Sequence, residues 1–297
     1  MSLSAIKSTS GEASVRPRES KPSTSQSAER HLQDVFSTVL EKVGRAGFES
    51  AQPLNQEAAS PESLEREVGS SWEQWFNEFS QTRYSFIADA GSPSVRENKT
   101  ASDLQKDYKE ILVDAYQHGG YATPNAYLQS LSSEQLKTIQ QVQHLADPIQ
   151  VANLSEEASL NLLLPPDAQV DENQDGLTAV GAAYSLRFPD SRTPSNVRDA
   201  WESATQGLSE SDRMIKELQM VLPLLTANMH FDSNGQYVRS SQPGDADWIN
   251  PMASDDFSYV QTATGWLEYL ERFKSQIPPD QYQKDQSFWS NFRSNLL

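Results

Sequence analysis

The sequence predicts a mainly α-helical, multi-helix globular protein with one small β-hairpin and a disordered N-terminal tail. Three observations lead to this fold class. Apolar side chains recur every three or four residues through most of the chain after residue 28. Proline and glycine divide that pattern into segments of helical length. Only one pair of short apolar runs flanks a tight-turn sequence, which limits the expected β-structure to a single hairpin.

The first 28 residues differ in composition from the rest of the chain. Thirteen of them are Ser, Thr or Pro, and their apolar side chains are few and small. Such a segment buries too little surface to offset the entropy lost on ordering. Residues 1–28 are therefore predicted to be disordered, and their four basic and two acidic residues set them apart from a chain whose net charge is −17.

Residues 29–47 are predicted to form an amphipathic helix that ends at Gly44 or Gly47. An amphipathic helix behind a Ser- and Thr-rich leader, in an acidic chain without cysteine, resembles the front end of bacterial type III export substrates, including flagellar ones. The resemblance is one of composition. It implies export without a cleaved signal peptide, since the N-terminus has no apolar signal-peptide core. The alternative is an ordinary core helix in a cytoplasmic protein.

Residues 48–60 are predicted to be a linker, and residues 61–297 a helical body with one core or two sub-domains divided near 165–190. Pro61 occupies a first helical position, where its missing N–H costs nothing. The helix that follows carries Trp72 and Trp75 in a dense apolar stripe. These rings have two interpretations, stacking on a sugar or packing inside, and their helical spacing favours packing.

Further elements follow from local signals. Ser132 or Ser133 with Gln135 predicts a capping box, and Ser155 and Ser209 precede acidic first turns. The helix after Ser209 is expected to bury five apolar side chains, namely Met214, Ile215, Leu218, Leu222 and Leu225. The predicted hairpin pairs residues 229–231 with 236–238 around a turn that ends in Gly235.

One loop suggests a specific chemistry, the binding of a hard cation. In residues 171–176 (DENQDG), oxygen-bearing side chains stand at alternate positions and a glycine follows. Asp171, Asn173, Asp175 and Gly176 resemble the first half of an EF-hand or dockerin loop. The resemblance implies Ca²⁺ as the cofactor and Asp171, Asn173 and Asp175 as its ligands, because Ca²⁺ takes six to eight oxygens and the glycine permits the sharp turn.

The resemblance ends after those six residues. The position at which the family places a bidentate acid is Ala182 here, and Pro165-Pro166 end the incoming helix early. The alternative interpretation is a turn built by Asp and Asn side chains bonding nearby amides, with Asp175 or Thr178 capping a helix over residues 179–186.

Composition narrows the range of partners and sites. A net charge of −17 and a pI near 4.6 oppose binding to nucleic-acid phosphates and favour a basic partner. The absence of cysteine excludes disulfides and thiolate chemistry. No apolar stretch approaches the roughly 20 residues that cross a bilayer, so no membrane insertion is expected.

Motifs for catalysis are missing from the sequence. The four histidines are far apart, and no nucleophile elbow, phosphate loop or dinucleotide-binding turn occurs. The sequence therefore predicts a non-catalytic protein-interaction or structural component, with another protein as its partner. A hydrolase that acts on glycan or peptidoglycan through two carboxylates is the alternative, since such residues meet only in space.

Overall fold

A computed structural model of the chain describes residues 24–49, 51–52, 54, 60–66 and 101–297. Three predictions fall wholly or partly outside these ranges. They are the disorder of residues 1–28, of which 24–28 are described, the linker over residues 48–60 and the packing of Trp72 and Trp75.

The prediction of a mainly α-helical protein is confirmed. Residues 61–66 are also helical, and the Ser63 amide donates to Ser60 Oγ at 3.2 Å as expected of a helix that opens at Pro61. The longer helices are α1 (Thr24–Lys42), α2 (Ala101–Gln117), α3 (Pro124–Ser130), α4 (Ser133–Val142), α5 (Glu156–Leu162), α6 (Ser195–Thr205), α7 (Glu210–Ala227), α8 (Tyr259–Arg272) and α9 (Pro279–Leu296).

The bounds of the first helix differ from the prediction. α1 begins at Thr24, inside the predicted tail, and ends at Lys42 instead of residue 47. Once an apolar face is anchored, extending a helix by one more turn costs little, because only nucleation is expensive. Gly44 has a left-handed backbone with φ near 77°, which ends the helix before the predicted residue 47.

Two antiparallel hairpins are present in the described residues, where the sequence predicted one. The predicted hairpin forms from β3 (Met229–Phe231) and β4 (Tyr237–Ser240). The second pairs β1 (Thr178–Val180) with β2 (Ala183–Ser185), so the helix considered for residues 179–186 is wrong. Gly181 turns the chain there with φ of 57°, a conformation that a helix cannot include.

The buried apolar residues form two clusters that follow each other along the chain. The first extends from Leu32 to Val180 and contains the inner faces of α1 to α5. The second extends from Phe188 to Phe292 and contains those of α6 to α9. Aromatic rings fill the second cluster, with Trp266 stacked on Trp289 at 5.6 Å. The predicted sub-domain split near 165–190 coincides with the gap between clusters and stays a prediction.

The packing of α7 contradicts the predicted burial. Its inner face consists of Met220, Val221 and Leu224, together with Lys216, which forms a buried ion pair with Asp285. The predicted set instead faces outward. Met214, Ile215, Leu218 and Leu222 are 60, 46, 53 and 39 % exposed, and Leu225 is half-buried. α7 is therefore apolar on two faces, and its periodicity does not tell which face is buried.

No helix within the described ranges combines the length and the apolar character needed to cross a bilayer.

Candidate functional site

The loop of residues 171–176 is held in place by one buried side chain of α5. The Asn161 amide donates to the carbonyls of Val170 and Ala179, both at 2.8 Å, and its oxygen accepts from the Val170 amide at 2.9 Å. Val170 precedes the loop and Ala179 follows it. One side chain therefore fixes the separation of the two ends, and the buried backbone groups there are satisfied.

Inside the loop, the three predicted site residues lie in one compact turn. Asp171 Oδ2 accepts from the Gly176 amide at 2.9 Å. Asn173 Oδ1 accepts from the Asp175 amide, and Asp175 Oδ1 from the Leu177 amide, both at 2.8 Å. Gly176 has φ of 86°, as the sharp turn requires. These bonds fit the turn interpretation. They leave one side-chain oxygen each on Asp171 and Asp175 without a backbone donor, whereas the single side-chain oxygen of Asn173 already accepts the Asp175 amide.

A fourth acidic residue, Glu157 on α5, belongs to the same site. Its Oε2 accepts from the amides of Glu172 and Asn173 at 3.1 and 3.2 Å, and its Oε1 accepts from the Ala179 amide at 2.9 Å. The sequence interpretation treated Glu156-Glu157 as helix-start electrostatics and missed this role. A signal exists, because Glu157 and Asn161 are polar residues four apart, on one face of a helix otherwise rich in leucine.

Burial makes the charged forms of two carboxyls unfavourable. Asp171 is 2 % and Glu157 is 5 % exposed. Burial, with repulsion from Asp175 and Asp190, raises the pKa of Asp171 to about 6 against the opposing Gly176 amide. Burial also raises the pKa of Glu157 to about 7, and the carboxylates of Asp171 and Asp175 add to that shift. The interior of the site is therefore acidic and poor in positive charge.

Cationic side chains contact the outside of this loop. Arg45 pairs with Glu172 and Glu156, each at 2.8 Å. The Arg192 guanidinium donates to the backbone carbonyl of Asp171 at 3.2 Å, and no ion pair to the Asp171 carboxylate is found in the described part of the chain. Arg45 thus neutralises acidic side chains at the edge of the loop, whereas the buried Asp171 carboxylate has acidic neighbours and no cationic partner among the described residues.

The second half of the chain covers the loop through two side chains. The Trp248 indole N–H donates to the Asp175 carbonyl at 2.9 Å, and the Asn250 amide donates to the Gln174 carbonyl at 3.1 Å. A methyl group on Gly176 would come within 2.8 Å of Leu224 and 2.9 Å of Asn250. The loop therefore packs against α7 and against the segment that follows the β3–β4 hairpin.

Among the described residues, no three Asp, Glu or His side chains converge closely enough to hold a metal ion by themselves. Any cation at the loop would thus also need the Asn173 amide oxygen or water. The predicted ligands Asp171, Asn173 and Asp175 stay a prediction.

An acidic groove of about 390 Å³ lies between α2 and α4. Its lining contains Asp107, Glu110, Asp114 and Glu134 beside Ile111, Gln135 and Thr138. The lining contains carboxylates, as the hydrolase alternative requires, but no Trp or Tyr on which a sugar ring could stack. The hydrolase alternative stays a prediction.

A second candidate feature is the outer face of α7. We call Met214, Ile215, Leu218 and Leu222 the apolar stripe. Successive helical residues are rotated by about 100°, which places these four side chains within one arc of similar width. The chain then continues into the β3–β4 hairpin, whose Phe231, Tyr237 and Val238 are 57, 59 and 61 % exposed.

No protein-family model, no curated protein and no solved structure matches this chain.

Proposed function

We propose that this chain is a non-catalytic, acidic, helical interaction protein whose loop at residues 171–176 is stabilised by calcium. Its docking surface is the apolar stripe of α7, and its partner is an amphipathic helix of another protein, with Lys and Arg beside the apolar face. The observation that carries the proposal is the exposure of four large apolar side chains on one face of α7.

Isolated exposed apolar residues are ordinary on protein surfaces, but a contiguous set is not. The stripe does not serve the core, because another face of α7 already packs into the second cluster through Met220 and Val221. A face with consecutive exposed side chains at 3.6-residue spacing is complementary to a second helix, whose own apolar side chains fill the spaces between them. Docking a helix there removes both apolar surfaces from water.

The charge around the stripe supports a basic partner. Residues 207–257, which include α7 and the hairpin, contain eight Asp or Glu and three Lys or Arg. All three of those cations are engaged, Arg213 with Glu217, Lys216 with Asp285 and Arg239 with Asp247. Lys and Arg flanking the partner's apolar face would complement this surface and speed association. A second copy of this chain would bring the same acidic surface and a net charge of −17, so repulsion disfavours self-association.

The test uses the full chain and two synthetic helical peptides with the same leucine face. One peptide carries Lys on its polar face and the other carries Glu. Fluorescence anisotropy at physiological salt is expected to show binding of the Lys peptide alone. Ile215→Ser with Leu218→Ser should weaken that binding roughly tenfold or more, because buried apolar anchors dominate such interfaces.

Tyr184→Ser is the matched control, since Tyr184 is 56 % exposed but lies on β2, away from α7. It should bind the Lys peptide as the unmodified chain does. Equal binding of the two peptides, or a double variant that binds normally, contradicts the proposal. Sedimentation that shows a dimer, and a monomer for the double variant, would assign the stripe to a second copy instead.

A further inference from the structure

The inference concerns the loop of residues 171–176 and rests on the calcium-stabilised loop of the proposed function. Its starting point is one atom of Asp171. The residue is 2 % exposed, and its Oδ1 accepts no hydrogen bond from the described residues, while Oδ2 accepts from the Gly176 amide and the backbone amide of Gln174 also acts on the carboxyl. A buried carboxylate oxygen without a donor is unfavourable, because it has lost water and gained nothing in return.

The acidic groups around Asp171 further destabilise its charged carboxylate. Asp175 and Asp190 act on its carboxylate through space, and so does Glu157, whose own two oxygens accept three backbone amides. Among the described residues, the arginine at this site, Arg192, donates to the backbone oxygen of Asp171 and not to its carboxylate. A positive charge near Oδ1 would therefore relieve repulsion among several carboxylates at once.

The remaining oxygens decide the kind of cation. Four loop carbonyls are engaged, those of Asp171 and Glu172 by Arg192, that of Gln174 by Asn250 and that of Asp175 by Trp248. Of the predicted ligands, Asp171 Oδ1 has no donor and Asp175 Oδ2 accepts from the Asn173 side-chain amide at 3.1 Å, whereas Asn173 Oδ1 accepts the Asp175 amide and could reach an ion only with its second lone pair. All of these donors are hard oxygens on a turn, which suits a hard divalent ion that tolerates irregular coordination and keeps some water.

We propose that Asp171 Oδ1, the side-chain oxygens of Asp175 and Asn173, and bound water form a Ca²⁺ site. The neighbouring Glu157 carboxylate anchors the loop and is not a ligand. Glu157 acts as a positioning residue, since its bonds to the amides of Glu172, Asn173 and Ala179 shape the loop before the ion arrives. With few protein ligands, the affinity falls in the weak range, with a Kd on the order of 10⁻⁴ to 10⁻³ M.

Trp248 provides a spectroscopic probe of this site, because its indole N–H donates to the Asp175 carbonyl at 2.9 Å. Tb³⁺ occupies calcium sites, and a tryptophan beside it transfers excitation energy. We expect Tb³⁺ luminescence on titrating the chelator-treated full chain, and its displacement by millimolar Ca²⁺. Asp171→Asn removes one charge at nearly constant shape and should weaken the competing Ca²⁺ affinity roughly tenfold.

Asp232→Asn is the matched control. Asp232 also precedes a glycine in a turn, but its oxygens lie at the surface and accept the amides of Asn234 and Gln236. This variant should retain the full displaceable signal. Asn173→Ala gives a second site variant in case Asp171→Asn alters folding, and it should also weaken binding.

Luminescence that Ca²⁺ does not displace, or an equal response of the Asp171 and Asp232 variants, would overturn the site. A midpoint of thermal unfolding that does not respond to Ca²⁺ would do the same, because an ion that binds the folded state must stabilise it. None of these outcomes touches the apolar stripe, so peptide binding to α7 can stand when the calcium site fails, and the reverse also holds.

Discussion

Two turns of this chain share their local chemistry and differ in their surroundings. Both place an Asp ahead of a glycine with positive φ, Asp171 with Gly176 and Asp232 with Gly235. In each, the carboxylate accepts backbone amides within the turn. Yet burial raises the pKa of Asp171, whereas the amides of Gln236 and Asn234 lower the pKa of Asp232, which lies in water. The difference comes from burial and not from turn type. In water the Asp carboxylate is stabilised by the turn amides, whereas in the interior its charged form is unfavourable.

The largest expected effect on stability comes from Glu157, which anchors the buried loop and has no counterpart at the exposed Asp232 turn. Glu157→Ala leaves three amides of the buried loop without an acceptor, and the free energy of unfolding should fall by about 4 kcal/mol. Denaturant unfolding measures this value.

Glu156→Ala is the control for that experiment. Glu156 is adjacent in sequence, but its side chain is 62 % exposed and pairs with Arg45 at the rim. Its loss should cost no more than about 1 kcal/mol. Similar costs for the two alanine variants would mean that Glu157 does not anchor the loop.

Alanine substitutions at Gly176 and Gly235 allow the stability of the two turns to be compared directly. Gly176→Ala forces a left-handed backbone on alanine and drives its methyl against Leu224 and Asn250, which should cost about 3 kcal/mol. Gly235→Ala adds the same backbone strain with no atom within 4 Å, and should cost about 1 kcal/mol. Equal changes in unfolding free energy would show that the contact with the second half of the chain is not maintained in solution.

The smallest expected effect is a pH dependence measured in the presence of chelator. A carboxyl with a raised pKa disfavours the folded state once ionised, so its contribution is most favourable below its ordinary pKa of 4.5 and is lost as the pH rises towards 7. Between about pH 5 and pH 8 the loss should be on the order of 1 kcal/mol.

Glu157→Gln should flatten that profile, since it removes the titrating group and keeps an acceptor oxygen. Asp232 in the exposed turn should change stability with pH in the opposite direction. Because its pKa is lowered in the folded state, its contribution to stability is lost as the pH falls. A Glu157→Gln profile with the same slope as the unmodified chain would place the pH dependence elsewhere.

Much of the fold was predictable because local chemistry fixes it. Ser132 forms the expected capping box with Gln135, and Ser155 and Ser209 accept first-turn amides. The DSNG turn produces the expected β3–β4 hairpin. Each of these signals acts over four or five residues, so the competing conformations are few and the sequence chooses among them without help from the rest of the chain.

The candidate site was predictable only in part. Spacing identified Asp171, Asn173 and Asp175 as members of one turn, and they are. Glu157 and Trp248 were not found, because they reach the loop from α5 and from the segment after the hairpin. Residues 178–185 form strands instead of a helix since Asn161 and Glu157 engage the Ala179 carbonyl and amide, an interaction with residues far back in the chain.

The sequence by itself determined the helical class, the start of several helices and the acidic surface, since these depend on spacing, capping and composition. Tertiary structure decided which face of α7 is buried and which of two neighbouring acids, Glu156 or Glu157, enters the interior. The reason is that α7 has apolar side chains on both faces, and only the shape offered by α9 and the rest of the second cluster selects Lys216 and Met220 for the inside. Burial is a property of the whole folded chain, and it gives residues of the same type different surroundings and roles.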